Sequence, residues 1–317
     1  MMRPRALLAA AALVAALPAH AADTVRAAKA VGSQFVYVPL DVGVEQGIFA
    51  KYGIEVEIST MSGEARLQQA LTAGSLDIGM AGNSGAALSV KGAPVIAVAA
   101  YANQPRNFSV VVLADSPIKT VADLRGKLIS GATTGGLPEW LVKRLAVVEG
   151  WGADGIRSIS VGSPDASLSA LRTHQVDGMM TATATGILLE EQGIGRIVTL
   201  MGDFAAHFHT SLVFARDGFV ADSPDVVERF LKGLFASVAF VKANKDKTVE
   251  IGARVLHLSP AIVGRVYDIE SPIFSDDGHF DPEAIAALKQ SFIDMGNLTE
   301  MPRDDQIINP KFVPVKP

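Results

Sequence analysis

The sequence predicts an α/β fold in two lobes, each a mainly parallel sheet flanked by helices, with a cleft between them. Three observations predict it. Strand and helix signals alternate from about residue 25 onward, the pattern of helices laid over a parallel sheet. The chain has 317 residues, more than a single core usually holds. The middle of the chain also replays the order of its beginning at an offset of about one hundred residues.

The first residues stand apart from this pattern. "MMRPRALLAAAALVAALPAHAAD" carries two arginines, an apolar run from Ala6 to Leu17 and the small-residue step Ala19-His20-Ala21, which predicts a secretory signal peptide over residues 1–21. The apolar run is shorter than the roughly 20 residues of a membrane span, so an exported protein without an anchor is expected, most simply in a bacterial periplasm. Losing Arg3 and Arg5 with the leader takes the formal charge from −5 to −7. A mildly acidic chain without basic clusters is a poor partner for nucleic acid or an anionic membrane surface. Cysteine is absent, which excludes disulfides, thiolate metal sites, cysteine nucleophiles and a lipidated N-terminal cysteine.

The elements follow in order. Residues 25 to 31 read as an apolar strand, "LDVGVEQGIFAKYG" as a helix that ends by Gly47, and "IEVEIST" as the second strand. "GEARLQQALTAG" sets Leu67, Ala70 and Leu71 on one helical face, with Gly74 suited to a left-handed stop. "LDIGMA" is a strand, "GNSGAALSVKG" a loop and helix, and "APVIAVAAYA" a buried strand.

The replay is clearest where "ALTAGSLDIGM" (residues 70–80) lies over "ALRTHQVDGMM" (residues 170–180), with Ala70/Ala170, Leu71/Leu171, Asp77/Asp177 and Met80/Met180 identical. His174 stands where Gly74 does, and histidine visits left-handed geometry more readily than most side chains. Two similar units imply two lobes, the first over 24–103 and 207–317, the second over 104–206. "SPDVVERFLKGLFASVAFVKAN" and "DPEAIAALKQSFIDMG" open on Ser223-Pro224 and Asp281-Pro282, a cap followed by proline at the first helical position, and are expected to pack back on the first lobe.

The order "VGSQFVYVPLDVGVEQGIFAKYGIEVEI", "ARLQQALTAGSLDIGMAGNSGAALSVKGAPVIAVAA" and "VVLADSPIKTVADLRGKLIS" resembles the periplasmic substrate-binding proteins of ABC importers, in the branch that serves sulfonates, taurine, nitrate and thiamine-precursor pyrimidines. The likeness covers nearly the whole mature chain, and its diagnostic pieces end at Gly82 and run from Val121 to Lys127. The resemblance implies a type II periplasmic-binding-protein fold whose two crossover segments form a hinge. Some relatives of this fold are pyrimidine-making enzymes that use a cysteine-rich segment and a sacrificed histidine. The absence of cysteine argues against that activity here. "ISGATTGGLPEW" departs from the commoner versions of its loop, which leaves the ligand class open.

Ligands of open α/β sheets bind beyond the carboxyl ends of the strands, where loops expose N–H groups and helix N-termini. Four loops qualify: Ser33, Gln34 and Phe35 after the first strand, Gly82, Asn83 and Ser84 after the third, and Thr133, Thr134 and Gly135 with Thr181 and Thr183 in the second lobe. Capping and turning are the alternative roles for each. Trp140, one turn past the glycine loop, is placed to stack on a planar ligand, and Arg106, at the first crossover, to pair with a carboxylate or sulfonate. Phe35, Tyr37 and Tyr101 are cleft-side aromatics for which packing is the default.

His207 and His209 share one face of "FAAHFHTSLVFA", but no third ligand accompanies them, so His209 is expected near the cleft as a hydrogen-bonding group and no metal is expected. "GATTGG" lacks the Lys-Ser/Thr ending of a phosphate loop, and no cofactor is expected. Asp276 and Asp277 belong to a turn without calcium-loop spacing. The reading is of a monomeric, non-enzymatic receptor for a small organic anion, a sulfonate or a carboxylate with aromatic members favoured by Trp140, which is presented to ABC permease subunits. A ligand sensor for a receptor kinase, or a pyrimidine binder or enzyme on the same fold, are the alternatives.

Overall fold

The computed structural model of the chain describes residues 22–131 and 136–316. The leader and the loop residues Thr133, Thr134 and Gly135 lie outside the described residues. Ten strands are described: β1 (Asp23–Lys29), β2 (Ile54–Thr60), β3 (Ile78–Ala81), β4 (Val95–Asn103), β5 (Phe108–Leu113), β6 (Leu128–Gly131), β7 (Arg157–Ser160), β8 (Gly178–Ala182), β9 (Gly195–Leu200) and β10 (His209–Arg216). The helices are α1 (Val38–Glu45), α2 (Glu64–Thr72), α3 (Ser84–Val90), α4 (Leu137–Val148), α5 (Pro164–Arg172), α6 (Thr183–Glu191), α7 (Asp217–Asp222), α8 (Pro224–Ala243), α9 (Lys245–Leu256), α10 (Pro260–Glu270) and α11 (Pro282–Asp294).

The strands form two five-stranded sheets, ordered β2-β1-β3-β10-β4 and β7-β6-β8-β5-β9. In the first, β1 runs parallel to β2 and β3 while β10 runs against β3 and β4. In the second, β6 runs parallel to β7 and β8 while β5 runs against β8 and β9. The reversed strand in each sheet is the one entered directly after the chain crosses between sheets. This decides where the cleft lies. Asn103 at the carboxyl end of β4 leads through residues 104–107 into Phe108, which pairs with Ala182 at the carboxyl end of β8. Leu200 at the carboxyl end of β9 leads through residues 201–208 to His209, which pairs with Asn103. Both crossings therefore join the carboxyl edge of one sheet to the carboxyl edge of the other.

The replay is physical as well as textual. Asp77 N–H donates to the Arg26 carbonyl at 2.9 Å, and its carboxylate accepts from Arg26 N–H at 3.1 Å. Asp177 does the same with Leu128, at 2.8 Å in both directions. Each aspartate extends the ladder between a third strand and a first strand at the edge away from the cleft. Gly74 and His174 both adopt left-handed φ, at 73° and 56°, and donate their N–H to Leu71 and Leu171 at 3.0 and 3.1 Å. Leu71, Leu171, Met80 and Met180 are buried in both units.

The C-terminal helices bury the first sheet, and α8 lies against α1 so closely that a Cβ at Gly43 would overlap the Ser237 hydroxyl, which makes glycine necessary there. Phe49 stacks on Phe230 with ring centroids 5.3 Å apart in the same interface. Asp281 caps α11 by accepting from Glu283 N–H at 3.0 Å. Ser223 occupies the cap position of α8 but its hydroxyl makes no cap bond, its ψ of 53° being far from the extended value that aims a cap side chain at the helix. The outer edge of β4 is closed by Asn309 N–H on the Ala97 carbonyl at 2.7 Å and by Ala100 N–H on the Gly278 carbonyl at 2.9 Å, which removes an open sheet edge. Among the described residues no helix is long and apolar enough to cross a membrane.

Candidate functional site

The cleft edge of the first sheet is built by the turns after β1 and β3. Beyond β1, Ser33 is exposed and Gln34 half-buried, while Phe35 is fully buried, with its ring edge-on to Tyr267 at 6.1 Å and near Phe274 at 6.2 Å. The C-terminal helices thus hold Phe35 in the core. Lys29 ends β1 with its ammonium 2.8 and 2.9 Å from the two Asp41 oxygens. Burial raises the Asp41 carboxyl and the Lys29 bonds oppose that rise, so the pair is close to neutral toward the cleft.

Beyond β3, the first turn of α2 reaches the loop that opens α3. Glu64 accepts from Gly82 N–H at 2.9 Å and from the Ser84 hydroxyl. Asn83 is 7% exposed and its side chain makes no cap bond. Tyr37, also buried, has its hydroxyl pushed far up by burial and then by the Glu64 charge, while a hydrogen bond from Ser211 opposes the rise, so the phenol stays neutral. Glu64 is the residue that reading the sequence did not single out, although it stands among the polar groups of this edge.

The corresponding edge of the second sheet is fastened to the crossings. Thr181 is buried in β8 opposite Ser109. Thr183 opens α6 with its N–H on the Asn107 carbonyl at 2.9 Å and its hydroxyl on the Arg106 carbonyl at 2.8 Å. The Arg106 guanidinium lies 3.2 Å from Asp203 and 3.4 Å from the Gln104 amide oxygen, so it ties the first crossing to the second. Both members of the Arg106–Asp203 pair are exposed, and such a pair contributes little to stability.

Trp140 is 5% exposed, stacked on Phe208 with centroids 4.6 Å apart and planes 24° apart, and its indole N–H donates to Asp294 at 3.1 Å. One ring face and the N–H are therefore used within the chain, between α4, the second crossing and α11. His209 is buried, with Nδ1 2.6 Å from Asn103 Oδ1 and Nε2 accepting from Asp281 N–H at 3.1 Å. A backbone N–H at Nε2 requires a lone pair there, so the proton sits on Nδ1 and donates to Asn103. Burial lowers its pKa to about 4, consistent with a neutral ring. His207, exposed, contacts Asp281 at 3.0 Å, and that bond raises its pKa.

The structure thus gathers Gly82, Asn83 and Ser84 with Glu64, Tyr37 and Ser211 on one edge, and Arg106, Thr181 and Thr183 on the other. Phe35, Trp140 and His209 are engaged in packing and in contacts at the crossings. Among the described residues no group of three or more His, Asp or Glu is arranged to hold a metal. Two surface grooves are described, of about 520 and 450 Å³: one between α8 and the C-terminal tail, the other next to the crossing at Asn103 and Asp281, with Lys242, Ser275 and His279 also in its lining.

A family model described as NMT1/THI5 like matches residues 34–248, more than half of the chain. The chain belongs to this family. Two curated relatives are named as binding proteins: one from Brucella abortus (strain 2308), 27% identical over 223 residues that cover 69% of this chain and 68% of the relative, and YtlA of Bacillus subtilis (strain 168), 24% identical over 220 residues that cover 67% and 65%. Among solved structures, this NMT1/THI5 like chain resembles the aliphatic sulphonate binding protein SsuA of Escherichia coli, with TM-score 0.76, 18% identity and coverage of 91% and 92%. It also resembles the alkanesulfonate-binding SsuA of Xanthomonas axonopodis pv. citri bound to MOPS, with TM-score 0.72, 19% identity and coverage of 90% and 96%. The desulfurization enzyme DszB, solved as a Cys-to-Ser mutant with biphenyl-2-sulfinic acid, shares the fold at TM-score 0.68, 16% identity and coverage of 92% and 97%. The periplasmic-binding-protein fold is thus common to binding proteins and an enzyme.

Proposed function

We propose that the protein is a solute-binding receptor of an ABC importer, exported to the periplasm by a leader cut after Ala21 and working as a monomer without a cofactor. It captures a small organic anion, a sulfonate or a carboxylate with aromatic members included, and delivers it to the permease. The lobes on this reading comprise 24–103 with 207–317, and 104–206. The observation that carries the reading is the crossing pattern: both passages join carboxyl edge to carboxyl edge, so the loops Gly82–Ser84 and Thr181–Thr183 border one cleft. Short paired crossings tied by Arg106, Asp203 and Thr183 suit hinge closure on a ligand. Ser33, Gln34, Thr133, Thr134 and Gly135 complete the ligand contacts on this reading, with Arg106 at the hinge. Kinship with proteins named as binding proteins supports it, and the absence of cysteine separates this chain from DszB in residue content.

Melting the purified protein with sulfonates, aromatic and aliphatic carboxylates, nitrate and pyrimidines tests the reading, because a ligand that binds only the folded form raises the melting temperature. Concentration-dependent stabilisation by organic anions, with the compound recovered unchanged, is the expected result. Stabilisation by neutral pyrimidines and by no anion contradicts the ligand class. Turnover of a bound compound contradicts the receptor.

A further inference from the structure

Glu64 is a partly buried acid at the cleft edge of the first lobe that forms no ion pair among the described residues. Its carboxylate is held by Gly82 N–H at 2.9 Å and by the Ser84 hydroxyl. The cations that reach the neighbouring strand end and crossing are already paired, Lys29 with Asp41 and Arg106 with Asp203. A buried amide beside Glu64 also lacks partners among the described residues. Gln68, one turn further along α2 and 2% exposed, has neither Nε2 nor Oε1 hydrogen-bonded and packs directly against Gly85. Asn83 is 7% exposed without a cap bond.

This arrangement reverses the polarity expected of the loop. The N–H and O–H that a ligand anion would need are taken by an internal carboxylate, and a second anion would meet an unscreened like charge. A carboxylate accepts at about four lone-pair positions, and two are used here. The second lobe lacks this device: one hundred residues on, the position of Glu64 is Pro164.

We propose that Glu64 is the counter-charge for a nitrogen group of the ligand, so that the first lobe takes a protonated amine or comparable N–H donor and the second lobe takes the anionic group. The ligand class is then a small zwitterionic acid. This assignment rests on the receptor reading and narrows it.

Matched pairs that differ only in the nitrogen test it by calorimetry: taurine against isethionate, β-alanine against 3-hydroxypropanoate, and 4-(aminomethyl)benzoate against 4-(hydroxymethyl)benzoate. For the pair that binds, the amine member is expected to bind the wild type at least tenfold more tightly. Glu64→Gln is expected to abolish that preference by weakening the amine member about tenfold or more while leaving the hydroxyl member as tight or tighter. Glu64→Asp, which keeps the charge, is expected to retain the preference in part, and an unchanged melting temperature of the unliganded variants confirms folding. Equal binding of the two members to the wild type, or a preference untouched by Glu64→Gln, overturns the assignment and leaves the receptor standing. Failure of every pair and of every compound in the melting screen removes the receptor reading and this assignment with it.

Discussion

Asp77 and Asp177 stand one hundred residues apart and make the same two backbone bonds, yet only Asp77 is also gripped by arginines, at 2.7 and 2.9 Å from Arg26 and 3.3 Å from Arg216. The cleft side shows a parallel contrast. The loop after β3 is closed by Glu64, whereas the start of α6 after β8 is tied through Thr183 to the first crossing. The two lobes therefore share a ladder device that the fold needs and differ in the polar groups at their cleft edges. Repetition marks what the architecture requires, and divergence marks where the halves have separate tasks.

The largest effect should break the ladder contrast. Asp77→Ala strands two guanidinium groups and a backbone N–H around a carboxylate whose side chain is 7% exposed, and should cost about 3 kcal/mol in denaturant unfolding. Asp177→Ala removes one backbone partner and should cost about 1 kcal/mol. Equal losses would show that the arginines add nothing. Burial alone would raise the Asp77 carboxyl, but bonds from Arg26 and Arg216 hold it below the usual range. Its contribution is therefore present above the ordinary aspartate range and fades as pH falls through the lowered value.

The next effect belongs to the second crossing. His209 is neutral when folded, with a pKa near 4 against an ordinary value of 6.5, so the unfolded chain binds the extra proton between those values. Stability should fall as pH drops from about 6.5 to about 4, by up to roughly 3 kcal/mol, and His209→Asn should flatten that slope. His207 slopes the other way and in another window, since its raised pKa contributes stability that is full below about 6.5 and lost as pH rises through the raised value, so His207→Gln should remove a loss on the neutral-to-alkaline side and leave the acid-side slope nearly unchanged.

Much of this was legible in advance because it follows from local chemistry. The alternating elements, the left-handed stops at Gly74 and His174, and the echo that led to Asp77 and Asp177 all came from spacing and residue type. Glu64 was not legible, because its partners lie 18 and 20 residues away and meet it only when α2 docks beside β3. The engagement of Trp140 was equally hidden. Its partners Phe208 and Asp294 come from the second crossing and the last long helix, and no periodicity announces such a meeting.

Smaller effects sharpen the contact between lobes. Trp140→Phe keeps an aromatic face but loses the bond to Asp294, and should cost about 1–2 kcal/mol in unfolding. Arg265 on α10 reaches Glu190 on α6 at 2.6 Å across the lobes, with its side chain 47% exposed. Arg265→Gln should change unfolding stability by less than about 0.5 kcal/mol. A loss well above that would make this pair a structural strut between the lobes.

The central claim is that one ligand is clasped by both carboxyl edges. Backbone amide shifts of labelled protein, followed while a stabilising compound is added, test it most directly. The account predicts that Gly82–Ser84 in the first lobe and Thr181–Thr183 in the second shift together on one binding curve. Shifts confined to one lobe, or to the groove between α8 and the C-terminal tail, would contradict it.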